Sequence, residues 1–184
     1  RSAVNFDDRS WNVVSTPHTV ELMPAEGSGC RNYQGPAWYR KHFVLPAETK
    51  GQRVVLHFEA AMGKQILYLN GKRIQEHLGG YLPFTLDLTA NGVQAGDSCL
   101  LAVFTDNSDD KSYPPGKRQY TLDFAYHGGI YRDVWMIAKS PVAITDAINS
   151  QTVGGGGVFV HFDKISKKSA QVYVNTEVQN DDAR

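Results

Sequence analysis

Asn70-Gly71, set between two short apolar runs, narrows what this chain can fold into more than any other feature. A two-residue hairpin turn needs positive φ at both central positions, and Asn-Gly supplies it at low steric cost. Residues 65–69 (Gln-Ile-Leu-Tyr-Leu) lead into the turn and 72–76 lead out, so a β-hairpin is predicted here. The same grammar recurs along the chain. Residues 37–45 form an aromatic and apolar run closed by Pro46. In 53–60, Val54, Leu56, Phe58 and Ala60 alternate with Arg53, Val55, His57 and Glu59, the period of a half-buried strand. Gly79-Gly80 precedes an alternating run at 81–88, and Gly96-Asp97 precedes an apolar run at 98–105, with a helical turn expected over 89–95. Many short strands at regular intervals, without sustained helical periodicity, predict an all-β fold built as an antiparallel β-sandwich.

Composition removes several function classes. Lys and Arg total 19 and Asp and Glu total 19, so no broad field favours nucleic acid or an anionic membrane. No apolar run is long enough for a transmembrane helix. Cys30 and Cys99 make neither a metal cluster nor a disulfide framework, and Cys99, in an apolar strand, reads as a buried thiol. The chain starts at Arg1 without Met or a signal-peptide core, which suggests a processed or cut protein. Its compartment stays open: periplasmic or secreted if a signal peptide was removed, cytoplasmic otherwise.

Two segments break the strand grammar. Residues 21–36 carry Pro24, Gly27, Gly29, Gly35 and Pro36, and residues 106–127 carry Tyr113-Pro-Pro-Gly116 and Asp123. Connections this long usually bind or cover something. After Gly128-Gly129 a strand is expected over 130–138, with Tyr131 and Trp135 as core aromatics and Arg132 beside Asp133 as a structural ion pair. Beyond Pro141 three strands are expected at 142–148, 158–162 and 170–178, too few for a complete immunoglobulin-like sandwich. The expected division is 1–140 for the first domain and 141–184 for an incomplete second one.

Taken in order, the runs at 38–41 (Trp-Tyr-Arg-Lys), 54–59 (Val-Val-Leu-His-Phe-Glu), 68–72 (Tyr-Leu-Asn-Gly-Lys), 79–84 (Gly-Gly-Tyr-Leu-Pro-Phe), Asp106-Asn107 and 129–135 (Gly-Ile-Tyr-Arg-Asp-Val-Trp) resemble the N-terminal region of glycoside hydrolase family 2, and specifically its β-galactosidase-like members. The resemblance covers roughly residues 5–140. It implies a jelly-roll, galactose-binding-like sandwich, the sugar-binding domain, followed by the start of an immunoglobulin-like β-sandwich. In such enzymes two glutamates on a later β/α barrel perform a retaining hydrolysis. No glutamate of this chain is nominated for that chemistry, and alone the chain is expected to be inactive.

The resemblance also implies site residues. Six positions before Gly129 stands Asp123, which matches an aspartate that reaches the galactose primary hydroxyl and a bound monovalent cation. Sodium, and magnesium elsewhere in the parent enzyme, are the implied ions; none is expected within this segment. An ionised carboxylate can accept sugar hydroxyls and ligate a hard cation, although an exposed loop aspartate is ordinarily just solvated. The family also brings an asparagine near the sugar, with Asn32 and Asn107 as the two candidates, and Asn107 reads equally well as a turn residue. His127 beside Gly128 either touches substrate or spends its ring on a backbone partner. Tyr126, Tyr131 and Trp135 offer faces for stacking on a sugar, with core packing as the reading preferred at strand positions. The run 106–110 (Asp-Asn-Ser-Asp-Asp) lacks the glycine and distal glutamate of a calcium loop.

Three functions compete: part of a β-galactosidase that scaffolds its own downstream barrel and lends a loop to the β-galactoside pocket, a free-standing carbohydrate-binding module, or the same domain from a β-glucuronidase or β-mannosidase. No nucleic-acid or membrane partner is implied, and a homo-oligomer is left open.

Overall fold

The computed structural model describes residues 1–22, 32–124, 127–150 and 152–182. Its regular elements are β1 (Pro36–Val44), a 3₁₀ turn (Ala47–Thr49), β2 (Arg53–Phe58), β3 (Lys64–Leu69), β4 (Lys72–Leu78), β5 (Phe84–Asp87), β6 (Ser98–Asp106), a second 3₁₀ turn (Gln119–Thr121), β7 (Val134–Lys139), β8 (Val142–Ile144), β9 (Val158–Asp163), β10 (Gln171–Thr176) and β11 (Val178–Asn180). Every strand pairing is antiparallel. One sheet runs β1-β6-β3-β4 and a second runs β5-β2-β7. The two close on one apolar core, so the protein is an antiparallel β-sandwich.

Side-chain period decides which face is which. Val54, Leu56 and Phe58 of β2 point inward, opposite Leu86 and Phe84 of β5, and meet Leu67, Leu69, Leu101 and Val103 of the other sheet. Phe58 and Phe84 stack with centroids 4.7 Å apart. The expected hairpin is present: Asn70 (φ 50°) and Gly71 (φ 82°) join β3 to β4, and the Asn70 carboxamide oxygen accepts the Leu100 N–H at 2.8 Å. Cys99 is a free, buried thiol, and burial pushes its pKa up; Cys30 lies outside the described residues.

The outer face of the four-stranded sheet is covered by the N-terminal segment. Arg40, with its side chain 1% exposed, donates from Nε to Asp8 at 2.7 Å and from Nη1 to the Ala3 carbonyl at 3.1 Å, and its guanidinium lies over the Phe6 ring. Phe6 in turn meets Trp11 edge-on.

His77 on β4 lies inside the sandwich against Phe84, with centroids 4.4 Å apart. Its Nε2 is buried without a hydrogen-bond partner among the described residues, and burial lowers its pKa below the ordinary value of 6.5. The unfolded histidine therefore binds a proton more readily than the folded one. Stability is full above pH 6.5 and falls as the pH drops from there toward the folded value. Urea midpoints measured on either side of that window should show the loss, and His77→Phe should flatten it.

Several expectations need correction. Strand β5 begins at Phe84 rather than at 81, and the turn expected over 89–95 falls slightly earlier, as successive three-residue-spaced hydrogen bonds from the Asn91 N–H to the Leu88 carbonyl and from the Gly92 N–H to Thr89. Strand β7 begins at Val134 rather than 130. Trp135 is not core: it is 53% exposed, and its indole N–H donates to Glu59 at 3.0 Å. It shares a face with His57 rather than with the inward Phe58, because it stands opposite His57 in the register. Arg132 and Asp133 form no ion pair among the described residues. The Arg132 guanidinium lies over the Tyr131 ring, and the Asp133 carbonyl accepts the Glu59 N–H. After Pro141, β8 stops at Ile144, and the expected run 170–178 is broken at Glu177 into β10 and β11. Among the described residues no helix is long and apolar enough to cross a membrane.

Candidate functional site

Strand directions gather the irregular segments at one end of the sandwich. The starts of β1, β3, β5 and β7 and the ends of β2, β4 and β6 all lie there, as the registers Pro36↔Asp106, Lys64↔Asp106, Lys64↔Leu78 and Phe58↔Val134 require. The connections around residues 32–35, 59–63, 107–123 and 127–133 therefore meet at that end. An open cleft of about 880 Å³ lies at the opposite end, lined in part by Arg53, Asp87 and Asp181, and Arg53 bridges those two carboxylates at 2.7 and 2.9 Å. None of the nominated residues lines it.

Gly128-Gly129 is the hub. Gly129 has φ +110°, and a Cβ there would stand 2.2 Å from the Tyr39 hydroxyl oxygen, so only glycine fits. Tyr39 Oη is 2.9 Å from His18 Nδ1 and accepts the Ile130 N–H at 3.4 Å. Burial pushes the Tyr39 phenol upward, which keeps its proton in place for this network. His18 N–H donates to the Ile130 carbonyl and Val20 N–H to Gly128, while on the other side Met62 N–H donates to Gly129 and Glu59 N–H to Asp133. Residues 128–133 are thus stitched between two other loops, and this is why β7 starts late.

Beneath Gly128 sits Asn107, 1% exposed. Its Oδ1 accepts the Gly35 N–H at 3.0 Å, and its Nδ2 donates to the Tyr33 carbonyl at 2.6 Å. A Cβ on Gly128 would press within 3.0–3.1 Å of that carboxamide. Asn107 thus locks the 33–35 loop to the glycine pair, as a buried amide with both ends satisfied. Next to it Asp109 accepts from Gln34 Nε2 at 2.7 Å and from the Gln119 N–H at 3.0 Å, which fastens the second 3₁₀ turn.

The nominated residues fall as follows. Asn32 Nδ2 stands 3.1 Å from His127 Nδ1, so the alternative asparagine and the histidine meet directly, through side chains rather than through backbone. Asp123 is exposed, two residues beyond the turn Gln119–Thr121 and four before His127. Asn107 is interior to the loops. Tyr126 lies outside the described residues. Among those described, no cluster of three or more His, Cys, Asp or Glu side chains is placed to hold a metal. Sequence reading passed over Tyr39, His18, Gln34 and Asp109. Only Tyr39 carried a signal: it sits inward on β1, where a phenol needs a polar partner.

Three comparisons with known proteins agree. The model of the glycosyl hydrolases family 2 sugar binding domain matches residues 5–141. The chain is 33% identical to a β-glucuronidase of Formosa agariphila, over 98% of this chain and 19% of that protein. It is 32% identical to a β-galactosidase of Thermoanaerobacter pseudethanolicus, over 95% of this chain and 22% of that protein. Among solved structures, a β-glucuronidase of Bacteroides uniformis superposes with a TM-score of 0.80 at 31% identity, covering 98% of this chain and 20% of that one. The chain therefore spans about a fifth of the length of these relatives. With its sandwich, its ordered motifs and its loop-rich end all accounted for, the chain belongs to glycoside hydrolase family 2, whose sugar-binding domain it carries.

Proposed function

We propose that this chain is the non-catalytic N-terminal part of a retaining β-galactosidase that cleaves terminal β-galactosides. It scaffolds the enzyme's catalytic barrel and lends the segment that carries Asp123 to the sugar pocket. The observation that carries this reading is the position of Asp123, exposed on a loop whose far end is pinned at Gly129 by Tyr39. An exposed carboxylate can accept from a sugar's primary hydroxyl and can supply one ligand to a monovalent cation.

A second reading, a β-glucuronidase, draws support from the relative of that name at 33% identity. Charge separates the two. A galactoside presents a hydroxyl donor at its sixth carbon, whereas a glucuronide presents a carboxylate, which Asp123 would repel unless a cation stood between them. The test is Asp123→Ala in the longer hydrolase, assayed on a β-galactoside and a β-glucuronide side by side. A loss confined to the galactoside supports the first reading. Preferential cleavage of the glucuronide by the unmodified enzyme favours the second.

A further inference from the structure

Tyr33, Asn32 and His127 form a chain of contacts with only one consistent placement of protons. The Tyr33 N–H can only donate, and it stands 2.7 Å from Asn32 Oδ1, which fixes which end of that carboxamide is oxygen. The other end, Nδ2, can also only donate, and it stands 3.1 Å from His127 Nδ1. That ring nitrogen must then be the bare acceptor, so the proton of the neutral imidazole sits on Nε2. Asn107 holds the arrangement from below, since its carboxamide bonds the Tyr33 carbonyl and the Gly35 N–H and packs under Gly128. The His127 ring is partly exposed, and no partner stands at its Nε2 among the described residues.

We propose that Asn32 is a positioning residue that fixes His127 as its Nε2–H tautomer, so that His127 offers a hydrogen-bond donor to an acceptor oxygen of the bound sugar. The sugar half of this statement rests on the function proposed above; the tautomer half does not. Asp123 and His127 would then act as a complementary pair on one loop. The carboxylate accepts from a hydroxyl, and the imidazole donates to an oxygen. A carboxamide suits the tautomer-fixing position better than a carboxylate, because Asp at position 32 could only accept and would draw the proton to Nδ1.

Long-range proton–nitrogen NMR correlation on the nitrogen-15-labelled chain reads the tautomer directly, in mildly alkaline buffer without sugar. His127 is assigned among the 6 histidines by its disappearance in His127→Gln. The expected result is a bare Nδ1 and a protonated Nε2 in the unmodified chain, reversed in Asn32→Asp with the core methyl signals unshifted. A protonated Nδ1 in the unmodified chain overturns the proposal, as does an unchanged tautomer in a folded Asn32→Asp. If that variant does not fold, the unmodified chain decides alone. In the longer hydrolase, Gln at 127 keeps a donor near the Nε2 position and Asn moves it to the Nδ1 position. His127→Asn should raise KM about 3- to 10-fold, the scale of one neutral hydrogen bond, and His127→Gln should recover most of it. Equal losses in both overturn the donor role. The expected tautomer in an enzyme that cleaves no galactoside would sink the functional reading alone.

Discussion

Phe58→Ala should be the most destabilising single truncation in this chain, lowering unfolding free energy by about 3–5 kcal/mol in urea titrations followed by circular dichroism. The ring is 1% exposed, stacks on Phe84 at 4.7 Å and sits in the middle strand of the three-stranded sheet, between β5 and β7. Its removal leaves a hole that neither neighbour can collapse into, because Phe84 also holds His77 on its other contact. Domains of this kind have only about 5–15 kcal/mol in total, so the loss takes a large share. Phe58→Leu, which keeps most of the volume, should cost less than about 1.5 kcal/mol. Equal effects from the two substitutions would mean that the stacked pair is not what the core depends on.

Asn107→Ala should cost roughly 2–4 kcal/mol and, unlike Phe58→Ala, should damage the site end in proportion. The substitution strands the buried Gly35 N–H and takes the partner from the part-buried Tyr33 carbonyl. It also opens space under Gly128, so the 33–35 loop and the glycine pair no longer share a fixed spacing. Asn107→Asp is a sharper probe. It keeps the acceptor for the Gly35 N–H but turns a carboxylate oxygen toward the Tyr33 carbonyl, so it should be at least as harmful. Amide hydrogen exchange at residues 32–35 should accelerate in both variants while the Leu67 and Leu86 amides stay protected. Acceleration spread evenly over the whole sandwich would contradict the local role.

The fold was legible because its signals are local. Asn70-Gly71, the alternation through Val54, Leu56 and Phe58, and the Gly and Pro stops each act within a few residues, and each strand they predicted is present. What misled were positions decided by distant partners. The apolar run from Ile130 reads as strand, but its first residues bond to loops at 18–20 and 59–62, and Trp135 falls outside because its neighbour in register is His57. The site was legible only in part, for the same reason. Asp123 was nominated only through the family resemblance, by counting back from Gly129, and the meeting of Asn32 with His127 spans 95 positions. No spacing rule reaches that far. The Asn107 lock depends on one backbone N–H and one backbone C=O, groups that every residue but proline carries, so the amino-acid alphabet does not record it.

One measurement bears most directly on the central claim that this end of the sandwich completes a sugar pocket through Asp123. In the longer hydrolase, kcat/KM for a β-galactoside should fall about 10- to 100-fold in Asp123→Ala, the scale of hydrogen bonds to a charged group. The urea midpoint should move far less than in Phe58→Ala, because Asp123 is exposed. A variant that hydrolyses the galactoside at the unmodified rate would contradict the claim and leave the domain a scaffold alone.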